Sequence, residues 1–320
     1  MDFEFSPEQE MLRDSVRRFL ADRSSLSSAR DGSVDPGVWA GLVALGADGL
    51  GMVDSAVVLE ELGRAVCNVP LASQLAASVF GVSDGTLAVY EPGARYSWRT
   101  PATKVVGSGL HGAKAHVADV GSVASYCVTA VDGVFVTDAG IACTSRTVDG
   151  SRSFGTVTFD GAPAQQLDAG PDDVQRALDR LGVAFVVDGV GAAARALELA
   201  VEYAKERVQF DKPIGSFQAV QHLCADMLRM VELARAAAYY ACWALDEADP
   251  AEAHRAAVMA QAYAASAFPQ LGANAIQVFG GIGFTWEHDI HLYYKRLLSA
   301  STVTGTADDH LAELARITID

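Results

Sequence analysis

The chain is 320 residues long, half of them hydrophobic, with a formal net charge of −16. That length exceeds one small domain and predicts two or three around a large core. The acidic excess excludes nucleic acid and an anionic membrane surface as partners and is read as a solvated surface. Cys67, Cys127, Cys143, Cys224 and Cys242 are scattered, odd in number and without a C-x-x-C pair, which predicts reduced thiols in a cytoplasmic protein. No basic-then-apolar stretch resembles a signal peptide, and no apolar run is long enough to span a bilayer.

The first element opens with Ser6 as cap, Pro7 at the first helical position and Gln9 three residues after the cap. Met11, Leu12, Val16, Phe19 and Leu20 recur at helical spacing, and further helices are predicted at about 37–46, 52–66 and 69–81. The chain then turns rich in Val, Thr, Ser and Gly. Short runs at Thr86–Tyr90, Val123–Ala130, Gly133–Thr137 and Gly155–Phe159 suit strands separated by Gly and Asp turns. Helical periodicity returns after Pro171. Val183, Val187, Val190, Ala194, Leu197, Val201, Ala204 and Val208 predict one long helix, ended by Pro213 and Gly215. Val220, Leu223, Met227, Val231, Ala234, Ala238, Ala241 and Leu245 mark a second, stopped by Asp249-Pro250. Residues 251–279 form a third, with a kink predicted at Pro269. Thr306 and Asp309 cap a last short helix through Leu311 and Leu314. The expectation is an α+β chain: an N-terminal helical domain at 1–81, a middle β-barrel or sandwich domain at 82–168, and a C-terminal up-down four-helix bundle at 169–320.

Two bundle segments carry more than periodicity. Arg207-Val-Gln-Phe210, followed by Pro213-Ile-Gly and Phe217-Gln218, sits at the predicted end of the first bundle helix. A guanidinium there offers planar donors to a pyrophosphate and Phe210 an apolar face to adenine. An arginine in a last helical turn is also an ordinary partner for the helix dipole. Gln277-Val-Phe-Gly-Gly281 ends the third helix, where glycine commonly forms a left-handed cap and admits close approach of a ligand. Gly281-Ile-Gly283 is not a nucleotide-binding G-x-G-x-x-G, since no strand precedes it, and Gly189-Val-Gly191 falls inside a helix. His288, Asp289 and His291 lack a fourth ligand, so no metal is expected. No nucleophile elbow supports Ser-His-Asp chemistry. Met227, Met230, Tyr239, Tyr240 and Trp243 read as bundle core.

In order and separation, Tyr203–Gln218 and Gln277–His288 resemble the two signatures of the acyl-CoA dehydrogenase C-terminal domain. The resemblance covers nearly the whole chain. It is strongest over 190–295 and weak before 80, where the helical part is short for the family. It implies the acyl-CoA dehydrogenase fold and FAD as cofactor, with adenine and pyrophosphate gripped by one subunit and the flavin ring seated in its neighbour. The cofactor-binding residues implied are Arg207 on a phosphate, Gln209 where the family often has a hydroxyl donor, Phe210, Gln218, Gln277, Gly280 and Gly281.

The family removes an α-proton with a carboxylate while the β-hydrogen leaves as hydride to the flavin. Its base precedes a Gly-Thr pair near the C-terminus. Here that pair is Gly305-Thr306, and the base position holds Thr304. At the minority position, an ungapped alignment gives Leu181. A two-residue shift gives Asp179-Arg180, which mimics the minority Glu-Arg pair and makes Asp179 the candidate base. Glu91-Pro92-Gly93-Ala94 resembles the flavin-contacting loop, but is flanked by Tyr90 and by Arg95-Tyr96. Leu110-His-Gly-Ala-Lys114 resembles the run before the family's Trp-x-Thr-Asn. It continues here as Ala115-His116-Val117-Ala118-Asp119, without the Trp and Thr that meet the flavin, and Tyr90 and Tyr96 are expected to fill the space.

An intact donated half and a degraded own half predict a hetero-oligomer. The chain resembles the short, base-less subunit of actinobacterial α2β2 acyl-CoA dehydrogenases, whose longer homologous subunit supplies flavin pocket and catalytic Glu. The resemblance implies α,β-dehydrogenation of an acyl-CoA thioester, bulky steroid side chains included, with an electron-transfer flavoprotein as acceptor. Two alternatives stay open: a homo-oligomeric dehydrogenase with an unusual base, and a FAD-free scaffold relative.

Overall fold

The computed structural model describes residues 5–31, 36–94 and 96–319. Helix α1 (Pro7–Arg23) starts with the expected reciprocal cap: Gln9 N–H donates to Ser6 Oγ and Ser6 N–H to Gln9 Oε1. It is followed by α2 (Leu26–Asp31), α3 (Pro36–Ala44), α4 (Met52–Arg64) and α5 (Leu71–Ala77). Eight strands come next: β1 (Gly85–Ala88), β2 (Lys104–Val106), β3 (Gly109–Ala118), β4 (Ser125–Ala130), β5 (Gly133–Thr137), β6 (Ile141–Ser145), β7 (Phe154–Pro163) and β8 (Gln165–Gln166). They form two four-stranded sheets, β1-β4-β5-β8 and β2-β3-β7-β6, in which only the β1–β4 pair is parallel. Leu110, Val117, Tyr126, Val128, Phe135, Val157 and Phe159 pack between them as a separate core.

The chain closes with α6 (Pro171–Glu206), a hairpin of β9 (Val208–Gln209) and β10 (Lys212–Pro213), then α7 (Gln218–Glu247), α8 (Pro250–Phe279), α9 (Ile290–Ala300) and α10 (Ala307–Ile319). The long helix therefore ends at Glu206, short of the expected Pro213, because the chain turns into a hairpin. Helix α8 runs through Pro269, and α9 was not expected from the sequence. The last helix carries the expected cap, with Asp309 N–H on Thr306 Oγ1 and Thr306 N–H on Asp309 Oδ2.

Helices from both ends of the chain share one core. Glycines bring α4 and α6 into backbone contact: a Cβ on Gly63 would lie 1.8 Å from Asp188 O, and one on Gly191 would lie 1.8 Å from Glu60 O. The Gly189-Val-Gly191 pattern is thus a packing device. Asp188 beside it anchors a buried ion cluster. Arg296 of α9 donates to its carboxylate at 2.8 and 2.9 Å and to Cys67 O at 2.6 Å, while Arg152 Nη2 lies 2.8 Å from Asp188 Oδ1. Removing one partner of such a cluster leaves a buried charge and typically costs about 3–5 kcal/mol, so α6, α9 and the loop before β7 are fixed together.

Candidate functional site

The two signature segments meet at one end of the bundle. Tyr203, in the last turn of α6, stacks on Phe279, the last residue of α8, with ring centroids 4.6 Å apart. Phe279 in turn contacts the His288 ring at 4.2 Å. Arg207 terminates α6 through its N–H on Tyr203 O, and its own carbonyl accepts from Ile214 N–H, which closes the hairpin. The tip of that hairpin is Phe210-Asp211, with φ of +53° and +62°. Left-handed backbone at non-glycine residues costs about 1–2 kcal/mol each. The strained Phe210 nevertheless holds its ring 85% exposed.

Around it, Arg207, Gln209, Gln218, Gln277 and Gly281 are exposed. The side chains of Arg207, Gln218 and Gln277 make no hydrogen bond with other described residues, whereas Gln209 Nε2 donates to Val208 O at 3.0 Å. Gly280 caps α8 at φ +63°, ψ −138°. This is outside the expected left-handed helical region, in a part of conformational space essentially reserved for glycine. A Cβ on Gly281 would meet nothing within 4 Å. No packing inside this chain calls for glycine there, and the space above it is open.

The other candidate residues line a crevice between the β module and the bundle. A cavity of about 390 Å³ is bordered by Tyr90, Tyr96, Asp179, His254, Gln261 and Thr304. Both candidate base positions thus face one space, but neither is free. Thr304 Oγ1 donates to Gln261 Oε1. Asp179 Oδ2 lies 2.8 Å from His254 Nδ1, and its Oδ1 accepts from Gln175 Nε2 at 3.1 Å. His254 Nε2 lies 3.0 Å from Glu313 Oε1, which also accepts from Arg316.

Burial pushes the Asp179 carboxyl up, against the pull of His254. For His254, burial acts downward but is outweighed by Asp179 and Glu313, which hold the imidazole above its ordinary value. Hydrogen bonding to Arg316 is the main cause that brings Glu313 down to about 2. The geometry is that of an imidazole clasped between two carboxyl groups. Leu181, the ungapped alternative, is buried in the core.

Tyr96 separates this crevice from a larger cavity of about 750 Å³ lined by His116, Phe154, Pro269 and Thr306, and it borders both. Its hydroxyl donates to Thr302 O at 2.5 Å, its ring stacks on His116 and its edge meets Tyr90. Arg95 lies outside the described residues. The two motif fragments of the β module turn out to hold each other. Lys114 Nζ reaches Glu91 Oε1 at 2.6 Å, and that oxygen also accepts from the backbone N–H of Ala102 and Thr103. Burial works to raise the Glu91 carboxyl, yet Lys114 and these N–H groups keep it below its ordinary value. Among the described residues, no group of three or more His, Cys, Asp or Glu side chains could hold a metal ion, and no helix is long and apolar enough to cross a membrane.

Comparison with known proteins places this architecture. The family model for the acyl-CoA dehydrogenase C-terminal domain matches residues 168–318. The acyl-CoA dehydrogenase IpdE2 of Mycolicibacterium smegmatis is 31% identical, over 97% of this chain and 98% of its own length. The chain belongs to the acyl-CoA dehydrogenase family. IpdE2 of Mycobacterium tuberculosis is 32% identical, over 90% of both chains. Among solved structures, the Tcur3481-Tcur3483 steroid acyl-CoA dehydrogenase superposes with a TM-score of 0.85 at 26% identity over 98% of both chains. The ChsE4-ChsE5 complex of Mycobacterium tuberculosis shares the fold, with a TM-score of 0.87 at 22% identity over 100% of this chain and 99% of the other.

The sequence pointed to Thr304, Asp179, Tyr90 and Tyr96, and the structure brings all four to one cavity. It gave no sign of His254, Gln261 or Glu313, which sit on α8 and α10 without any motif and become neighbours only through helix packing.

Proposed function

We propose that this chain is the subunit of a flavin-dependent acyl-CoA dehydrogenase that contributes the adenine and pyrophosphate half of an FAD site, while a longer homologous subunit contributes the flavin pocket and the catalytic Glu. One observation carries the proposal: the FAD-motif residues gather at one end of the bundle, Arg207, Gln209 and Phe210 on an exposed strained hairpin beside the ends of α7 and α8, none lining the chain's own crevice, and Arg207 has no side-chain partner among the described residues. That face fits a dinucleotide. Arg207 offers two parallel donors to a phosphate oxygen pair, Phe210 a flat apolar surface to adenine, and Gly280-Gly281 room for close approach. Gln209, Gln218 and Gln277 stand by as hydrogen-bonding groups.

The chain's own crevice does not fit a flavin ring. Tyr96 crosses it to Thr302, and the strand beyond offers His116 and Ala118. When bound, FAD supplies the acceptor for the hydride leaving the β-carbon. The carboxylate that takes the α-proton belongs to the partner, because Thr304 has no basic group and both oxygens of the buried Asp179 are already engaged by His254 and Gln175. The complexes named among the structural relatives support a heteromeric assembly, and the steroid enzyme among them supports a bulky acyl-CoA as substrate. An electron-transfer flavoprotein is the acceptor proposed.

Purification of the chain alone and co-expressed with its longer homologue tests this. The chain alone should be nearly colourless and the complex yellow. FAD-saturated protein from single expression would overturn the proposal and favour the homo-oligomer.

A further inference from the structure

A second recess lies between the loop after β6 and the start of α9. It measures about 420 Å³ and is lined in part by Arg30, Ser145, Arg146, Thr147, Trp286 and Lys295. Its charge runs against the rest of the molecule. In a chain of net charge −16, four cationic side chains line this recess, Arg30, Arg146, Arg152 and Lys295, of which Arg152 is buried on Asp188. Arg146 and Lys295 form no ion pair with a described carboxylate. Arg30 is paired with Asp289 at 2.6 Å.

The remaining acid of the wall, Asp149, is buried. It accepts from Ser151 N–H and faces Arg296 at 3.9 Å, so it contributes little negative charge to the opening. Trp286 is 69% exposed, an unusual position for the largest aromatic side chain, and Lys295 Nζ stands 4.2 Å from its ring centroid. The ring is thus held beside a cation that has no anion of its own.

Two cations without an ion-pair partner among the described residues, the exposed Ser145 hydroxyl and a solvent-facing indole in one recess recognise a phosphate attached to a flat aromatic base, while the Thr147 hydroxyl is already committed to Asp149 O. The volume lies within the range of small-ligand sites. We propose that this recess binds a phosphorylated adenosine, with phosphate oxygens on Arg146, Lys295 and the Ser145 hydroxyl and the base against Trp286. Arg146 supplies a forked pair of donors and Lys295 a point charge. Trp286 keeps 69% of its surface exposed although Lys295 and the His291 ring, 4.6 Å away, both pack against it, and base–aromatic stacking on the exposed part tolerates any purine. Two sources share this chemistry: the 3′-phosphorylated adenosine of coenzyme A, and the adenosine diphosphate of a dinucleotide.

The test is titration of the full chain with adenosine 3′,5′-bisphosphate, with ADP and with inorganic phosphate, read by tryptophan fluorescence and calorimetry. A saturable quench is expected with the nucleotides, absent in Trp286→Phe. Dissociation constants should rise at least about tenfold in Arg146→Ala/Lys295→Ala, as expected for charge-assisted contacts of about 1.5–3 kcal/mol. Only the quench that Trp286→Phe abolishes reports this recess, which separates it from binding at the face proposed above. Tighter binding of the bisphosphate assigns the site to coenzyme A, and tighter binding of ADP assigns it to a dinucleotide. Isotherms unaffected by the double substitution, the absence of saturation, or equal affinity for inorganic phosphate alone would overturn the proposal.

Discussion

The end of the bundle around Arg207 and the crevice around Asp179 treat polar groups in opposite ways. At the bundle end, a guanidinium and two side-chain amides make no hydrogen bond with another described residue, and an aromatic residue is held exposed on left-handed backbone. In the crevice, a hydroxyl, an imidazole and two carboxylates are each bound to one another or to a neighbouring side chain. Folding alone favours the second arrangement, since a buried polar group without a partner is costly. Groups left open, on backbone that is strained to present them, point to a use outside the chain. Groups that satisfy one another leave nothing for a substrate.

The contrast is broken most decisively by the catalytic base. In the assembled complex, Thr304→Ala and Asp179→Asn should leave turnover nearly unchanged, whereas replacing the partner's Glu by Gln should lower it on the order of 10²–10⁴-fold. Loss of turnover in Asp179→Asn, with FAD content and assembly intact, would return the base to this chain.

Next in size is Arg207. Its replacement by Ala removes a charge-assisted contact of about 1.5–3 kcal/mol, or roughly a ten- to hundredfold weaker hold on FAD. Arg207→Lys should restore only part, because the planar fork is gone. Equal FAD retention in Arg207→Ala, measured on the intact complex, would reduce Arg207 to the terminus of its helix.

A smaller effect sharpens the comparison by changing sign between two measurements. Asn tolerates left-handed backbone better than Phe, and Phe210 buries little of its ring. Phe210→Asn should therefore stabilise the isolated chain by about 1 kcal/mol or less, while weakening FAD retention in the complex. Destabilisation of the isolated chain would show that Phe210 serves its own fold.

These residues also mark how far the sequence could be read. The face around Arg207 was legible because it is local. Two contiguous segments carry it, each at a helix end marked by glycine or proline. The crevice was legible only where a position could be compared with the family, at Thr304, Asp179 and Tyr96. Its new chemistry joins residues of α6, α8 and α10 that are far apart in sequence, and no periodicity announces that His254 meets Glu313. Likewise Glu91 and Lys114 looked like fragments of a decayed flavin loop, yet their buried contact is what ties the strands together. The end of α6 was misplaced because Val208 continues the helical period, while a tight turn at Phe210-Asp211 prevails over it.

The last effect requires no substitution to appear, only a change of pH. His254 is held above its ordinary value by Asp179 and Glu313, and burial raises Asp179. A group whose pKa is higher in the folded than in the unfolded chain stabilises below the unfolded value and loses that contribution as pH rises through the folded value. The two shifts have the same sign but different windows: Asp179 loses its contribution as pH rises from the ordinary carboxylate range, and His254 loses its own as pH rises from the ordinary histidine range. Glu313, lowered to about 2, acts oppositely and loses its contribution only as pH falls through that value. The histidines His288, His291 and His310 are pushed down, first by burial, so their contribution grows with rising pH and partly masks the clasp. The difference between the wild-type chain and His254→Gln isolates it. Stability from urea unfolding, measured between about pH 6 and pH 9, should fall more steeply with pH in the wild type than in the variant. Hydrogen exchange in α10, which Glu313 ties to α8, should speed up over the same window. Identical pH slopes in the two proteins would mean that His254 is neutral in the crevice, and that the carboxylates on either side hold it by hydrogen bonds alone.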